Sequence, residues 1–249
     1  MKKITVLLMF LAMVGVWADN EIFYPEFEDS VSFYLPFDAG VNADISVGRE
    51  KPNHVLGKAN FMPGLRGNAL VCGDGGANIR YWRKDNISFD RPGTLLFFYK
   101  GLDWHEKKKS RVFFTGFEGS NGFWGLQLPG WPANLCPCKW NLHLLFLYGK
   151  RIPSKTFSIK INEGDGCNKW HMRALSWAPG QLRINADGRP GKTYKIDFDL
   201  TDADFPIQVF SVGSTVQWRY LIDEYTIYNR RLSDGELLNI YEKMMKNAK

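Results

Sequence analysis

Three of the acid sets in this 249-residue chain are candidates for carboxylate chemistry. Glu26-Phe27-Glu28 and Glu163-Gly164-Asp165 alternate, and Asp223-Glu224 are adjacent. Alternate strand residues share a face, and retaining glycoside hydrolysis needs two carboxyls about 5–5.5 Å apart. Gly164 and Gly166 make the second set a turn, and the first lies in a lead-in without periodicity, with nothing to hold it. The third sits inside a run that reads as a strand. No base or nucleophile accompanies any of them. The four histidines, His54, His105, His143 and His171, show neither H-x-H nor H-E-x-x-H spacing. There is no G-x-S-x-G elbow, and Gly73 to Gly76 has no helix behind it to cradle a phosphate. The residues therefore point away from an enzyme and toward recognition.

The strand carrying Asp223-Glu224 organises the rest. Over 220–228, Ile222, Glu224, Thr226 and Tyr228 are expected on one face and Asp223, Tyr225 and Ile227 on the other. β-branched and aromatic residues on both faces predict a central strand, so the two acids need partners. A helix follows. Ser233 and Glu236 form an S-x-x-E capping box, Leu232 and Leu237 stand at the staple positions, and Leu237, Ile240, Tyr241 and Met244 recur at helical spacing.

Upstream, strands are expected at 31–37, with Pro36 placing it at or near an edge, then at 68–72, 77–82, 94–99, 111–117, 123–128, 142–148, 156–161, 170–177, 181–185 and 207–212. Residues 38–67 read mostly as loop, and Asp187-Gly188 as a tight hairpin turn. About a dozen short strands and one terminal helix make an all-β, two-sheet antiparallel sandwich of six or seven strands per sheet.

Lys2 and Lys3 precede an apolar run ending at Val16-Trp17-Ala18. This reads as a signal peptide over 1–18, cut after Ala18, and the run is too short to span a bilayer. Residues 19–30 form the lead-in and 31–249 one domain, exported to the periplasm, cell surface or exterior. The formal charge of +6, two units of it from Lys2 and Lys3, is dispersed apart from Lys107-Lys108-Lys109, so nucleic acid is not the expected partner.

Export permits disulfides among Cys72, Cys136, Cys138 and Cys167. Pro137 alone separates Cys136 from Cys138, too close for an unstrained bridge. Each is expected to reach Cys72 or Cys167, in an order left open. A zinc site is the alternative, but the paired C-x-x-C knuckles are absent.

The closing run Ile222-Asp223-Glu224 … Ile227-Tyr228-Asn229-Arg230 … Leu232-Ser233 … Glu236 resembles the end of the laminin-G-like (concanavalin A-like) jelly rolls of bacterial secreted proteins. Ala43-Asp44-Ile45-Ser46-Val47-Gly48, the run from Phe61 to Leu70, Gly93 to Tyr99, Trp170-His171 to Trp177, and Asn185-Ala186-Asp187-Gly188 resemble further segments of that family in order. The likeness covers roughly 31–243. It implies a jelly roll and does not by itself supply an activity. It also brings two comparisons. Hydrolases of this fold carry E-x-D-x-x-E, which is missing here. Members that bind structural calcium would place it at Asp44 and Asp223, with Asp38 a third ligand. The competing reading is that Asp44 caps a turn and Asp223 pairs with Arg230 or Arg231.

Ligand contacts are expected from aromatics in loops. Trp82, Trp170 and Trp177 fall in strands and read as core. Trp104, Trp131, Trp140 and Trp218 lie in or beside loops, Trp131 and Trp140 within the proline-stiffened segment 128–140. The sequence reading is a non-catalytic module binding a glycan. A structural or protein-binding surface module is the alternative, and a diverged glycosidase the second. Asn86-Ile87-Ser88 matches a glycosylation sequon, read as chance.

Overall fold

The computed structural model describes residues 25–102, 112–119, 122–128, 142–149, 155–160, 168–197, 200, 208–215 and 218–246. The strands are, in order, β1 (Val31–Leu35), β2 (Ile45–Ser46), β3 (His54–Gly57), β4 (Phe61–Pro63), β5 (Asn68–Cys72), β6 (Ala77–Trp82), β7 (Gly93–Gly101), β8 (Val112–Gly119), β9 (Gly122–Leu128), β10 (Leu142–Gly149), β11 (Lys155–Lys160), β12 (Trp170–Ala178), β13 (Gln181–Ala186), β14 (Lys192–Lys195), β15 (Val209–Gly213) and β16 (Tyr220–Tyr228). One helix, α1 (Asp234–Lys246), follows.

The strands form two antiparallel sheets, so the expected sandwich is the observed fold. The first runs β14-β13-β12-β7-β16-β1-β2, with β5 on β16 and β4 on β5. The second runs β11-β10-β9-β8-β15-β6-β3. Strands β2, β3, β4 and β14 are additions to the expected set: short, largely polar or exposed segments with no alternation to announce them. Strand β1 lies one place in from the edge that β2 forms. The turn after β13 has Asp187 and Gly188 both at positive φ, and Arg189 N donates to Ala186 O, as a type I′ turn requires.

Alternation divides the first sheet. Leu70, Phe97, Leu175, Ile222, Tyr225 and Ile227 enter the core between the sheets. Ala69, Phe98, Ala174, Leu221 and Tyr228 turn to the opposite face, where Leu237, Ile240 and Met244 of α1 cover them. The helix starts as the capping box predicts. Ser233 N and Oγ donate to Glu236 Oε2, Glu236 N donates to Ser233 Oγ, and Leu232 and Leu237 are both buried.

Three expectations fail. Over 25–30 the lead-in is held: Glu26 accepts from Asn239 Nδ2 and Lys243 Nζ, and the Arg230 guanidinium lies over the Phe27 ring at 4.8 Å. Cys72 is a free thiol, so the bridge expected there is not formed. It sits on the inner face of β5, against Gly213, where any Cβ would strike its sulfur. Cys136, Cys138 and Cys167 lie outside the described residues, as do Trp104, Trp131 and Trp140.

The third failure is the alternation of β16. On one edge this strand pairs with β5 over Tyr220–Ile222 and with β1 over Tyr225–Tyr228. Where the partner changes, one extra residue is inserted opposite β7, and Glu224 takes φ +52. That bulge resets the register, so Ile222 and Tyr225, three apart, both face the core.

Candidate functional site

Two places gather polar side chains around an unusual backbone. The first is the bulge itself. Asp223 is fully buried, and its carboxylate accepts from Leu65 N (2.7 Å), Arg66 N (3.2 Å) and Glu224 N (2.9 Å). Glu224 accepts from the Tyr34 hydroxyl at 2.6 Å. Burial pushes the Glu224 carboxyl up to about 7, with Tyr34 and Arg66 opposing and Asp38 and Asp44 reinforcing the shift. Burial also raises Asp223, and ionised Glu224 adds to that. Three amide donors favour the charge on Asp223 and oppose that rise.

The acids expected to hold calcium lie near this bulge. Asp38 is exposed and accepts from Asn68 N at 2.7 Å; burial, then Asp38, raises the exposed Asp44 carboxyl. Asp223 is already engaged by backbone amides. Among the described residues no group of three or more His, Cys, Asp or Glu side chains is arranged to hold a metal ion. The set Asp38, Asp44 and Asp223 thus does not fit a calcium cage. Neither expected arginine reaches Asp223: Arg230 pairs with Glu236 Oε1 at 2.7 Å, and Arg231 donates to Gln181.

His171 is a packed residue. Its Nδ1 lies 3.1 Å from Asp187 Oδ2, and Asp187 Oδ1 accepts from Met172 N and from Arg173, which reaches on to Tyr99. The positive-φ turn residue thus neutralises a buried arginine. Glu26 serves the helix, as above. Glu163 and Asp165 lie outside the described residues.

The second place is the end of β6. Ala77, Ile79 and Tyr81 point into the core, leaving Asn78, Arg80 and Trp82 on the outer face. Trp82 is half-buried, not core as expected. Trp218 is the reverse, only 4 % exposed and packed in the inter-sheet core. It offers no surface to a ligand, which corrects its expected role.

Asn86 builds the surroundings of Trp82. Its side chain is fully buried. Oδ1 accepts from Ser46 Oγ (3.0 Å) and Gly48 N (2.8 Å), while Nδ2 donates to the carbonyls of Arg49 (3.1 Å) and Trp82 (3.2 Å). One amide therefore fastens the 46–49 segment beside the indole. Gly48 is required there, because a Cβ would collide with the Lys84 carbonyl. Asp85 at φ +66 lets the 83–86 turn close. The asparagine of the sequon is consumed by this network.

Two clefts flank Trp82. One, of about 590 Å³, is lined by Arg49, Glu50, Lys51, Pro52, Asn53 and Trp82 with Gly48. The other, of about 430 Å³, is lined by Val47, Arg49, Trp82, Lys84 and Asp85 with Gly48. Val47 is 64 % exposed, and the Arg49 guanidinium sits 5.7 Å from the Trp82 ring centroid. An apolar ring bordered by charged groups suits a ligand with both apolar and polar faces.

No family model matches the sequence, and no curated protein matches it. Solved structures do. The receptor-binding domain of botulinum neurotoxin mosaic serotype C/D is similar at TM-score 0.64 and 14% identity, over 86% of this chain and 51% of that one. The binding domain of botulinum neurotoxin DC in complex with rat synaptotagmin II gives 0.65 and 13%, over 87% and 52%. The same binding domain in complex with SialylT gives 0.65 and 12%, over 86% and 51%. The likeness is one of fold. The chain spans about half the length of these domains, and at such identity a shared sandwich does not carry a shared ligand.

Proposed function

We propose that this protein is an exported, non-catalytic recognition module of laminin-G-like type, and that it binds a glycan with Trp82 as its platform. The observation that carries the reading is the half-buried Trp82 between two clefts, beside a fully buried Asn86. A sugar ring presents an apolar C–H face rimmed by hydroxyls, and a fixed indole with polar groups at its edge complements both. Because Asn86 has already ordered the loop, little conformational freedom is lost on binding. The fold relatives support recognition as a use of this sandwich, since they are described as receptor-binding domains. The absence of E-x-D-x-x-E and the structural roles of Glu26, Asp223 and Glu224 favour binding over hydrolysis.

A protein partner is the second reading, favoured by the exposed Val47 beside Trp82 and by the neurotoxin domain described with synaptotagmin. A glycan array, followed by calorimetry on Trp82→Ala and Trp131→Ala, separates the cases. Loss of binding in Trp82→Ala, with an unchanged melt, supports the platform. Loss only in Trp131→Ala moves the site to the 128–140 segment. No binding to any glycan favours the protein partner, and hydrolysis of the array's sugars would restore the glycosidase. Export is tested by sequencing the amino terminus of the mature protein, which should begin at Asp19.

A further inference from the structure

We infer that the ligand taken at Trp82 is an anionic oligosaccharide, held by stacking on the indole and by charge-assisted hydrogen bonds from Arg49, Lys51 and Lys84. The inference rests on the reading of Trp82 as a glycan platform and adds the charge of the sugar.

Four cations are committed to ion pairs within the fold. Arg173 pairs with Asp187, Arg183 with Asp234, Arg230 with Glu236 and Lys243 with Glu26. Arg49, Lys51 and Lys84 are different. They are exposed, they line the two clefts that share Trp82, and among the described residues they make no ion pair. The acids on the same linings, Glu50 and Asp85, also pair with nothing there, so three cations face two acids. Arg80 shares the outer face of β6 with Trp82, about 7 Å away by strand rise.

Like charges gathered on one patch repel, and an anion placed among them relieves that repulsion. A carboxylate or sulfate accepting from guanidinium or ammonium makes hydrogen bonds about twice as strong as neutral ones. A neutral sugar would meet the same side chains through its hydroxyls, without the charge that a carboxylate or sulfate adds. Single-stranded nucleic acid is also anionic, but its binding depends on successive aromatic platforms for successive bases. Among the described residues these two clefts offer a single aromatic ring.

The test uses calorimetry with three probes of equal length, oligogalacturonate, a heparin-derived oligosaccharide and a cello-oligosaccharide, with oligo-dT as a fourth arm. An acidic sugar should bind at least about tenfold tighter than the neutral one. Its affinity should fall as salt is raised from roughly 50 to 500 mM. Lys84→Gln and Arg49→Gln should each weaken it without moving the melt. Whether the uronate or the sulfated arm wins identifies the anion. Equal, salt-insensitive binding of the neutral sugar, lost in Trp82→Ala, overturns this inference and leaves the glycan reading standing. Acidic binding unchanged in the Arg49→Gln/Lys84→Gln double variant also overturns it. No sugar bound in any arm removes both readings, and oligo-dT bound as tightly as the acidic sugar replaces the ligand class.

Discussion

The Tyr34 hydroxyl donates a 2.6 Å hydrogen bond to Glu224 Oε2, joining β1 to the bulge of β16 across 190 positions of sequence. Burial and the neighbouring Glu224 carboxylate keep the phenol protonated far above neutral pH, so it remains a donor. Removing it in Tyr34→Phe leaves a 3 % exposed carboxyl without its partner. The expected cost is about 1.5–3 kcal/mol in urea unfolding at pH 8. A loss below about 0.5 kcal/mol would show that the bond adds little.

The same carboxyl makes stability depend on pH. Its folded pKa of about 7 stands above the ordinary glutamate value of 4.5, so the native state holds the proton more tightly than the unfolded chain. The contribution is fully present below about pH 4.5 and is lost as pH rises to about 7, a change on the order of 3 kcal/mol. Wild type should therefore lose stability between pH 5 and pH 8 relative to Glu224→Gln, which keeps an acceptor for Tyr34. Parallel pH profiles for the two proteins would contradict the raised pKa.

Chelation addresses the calcium expectation directly. The Asp223 carboxylate is engaged by three backbone N–H groups and the Glu224 carboxyl by a phenol, and among the described residues no three acids are gathered to hold a metal ion. The melting temperature should be the same in EDTA and in millimolar calcium chloride. A rise with calcium would reveal a ligand set other than Asp38, Asp44 and Asp223.

Cys72 should behave as a core side chain. Burial raises its thiol well above the usual range, and the thiolate is the species that alkylates. Peptide mapping after iodoacetamide treatment should find Cys72 unmodified in the native protein and labelled once it is unfolded. Labelling in the native state would mean that the β5 region opens locally.

Much of this fold is written in the chain. Strand β16 was legible from end to end because apolar residues fill both its faces, and Ser233 and Glu236 declare the helix start in four residues. Glu224 was not legible as a bulge, since an inserted residue leaves no trace in a run that is apolar on both sides. Strands β2 to β4 were hidden because Phe61 and Met62 are exposed there and two- to four-residue strands have no room for a period. The outward position of Trp82 could have been found. Ala77, Ile79 and Tyr81 mark the inner face of β6, which assigns Trp82 to the outer face with Asn78 and Arg80. Trp218 misled because position in a loop says nothing of whether the loop folds over the core.

Asn86 is the residue through which the site and the stability are most closely tied. Its side chain makes four hydrogen bonds while fully buried, so Asn86→Ala strands two backbone carbonyls, one backbone N–H and the Ser46 hydroxyl at once. A loss of roughly 3 kcal/mol is expected, with weaker ligand binding measured at a temperature where the variant is folded, because the 46–49 segment no longer sits fixed beside Trp82. The same burial makes a second forecast. Secretion from a eukaryotic host should leave Asn86 free of glycan despite the Asn-Ile-Ser sequon, provided folding outpaces transfer to the unfolded chain. Intact-mass measurement on Asn86→Gln and wild type reads this out, and a glycan mass present in wild type and absent in the variant would show that the chain is modified before this network closes.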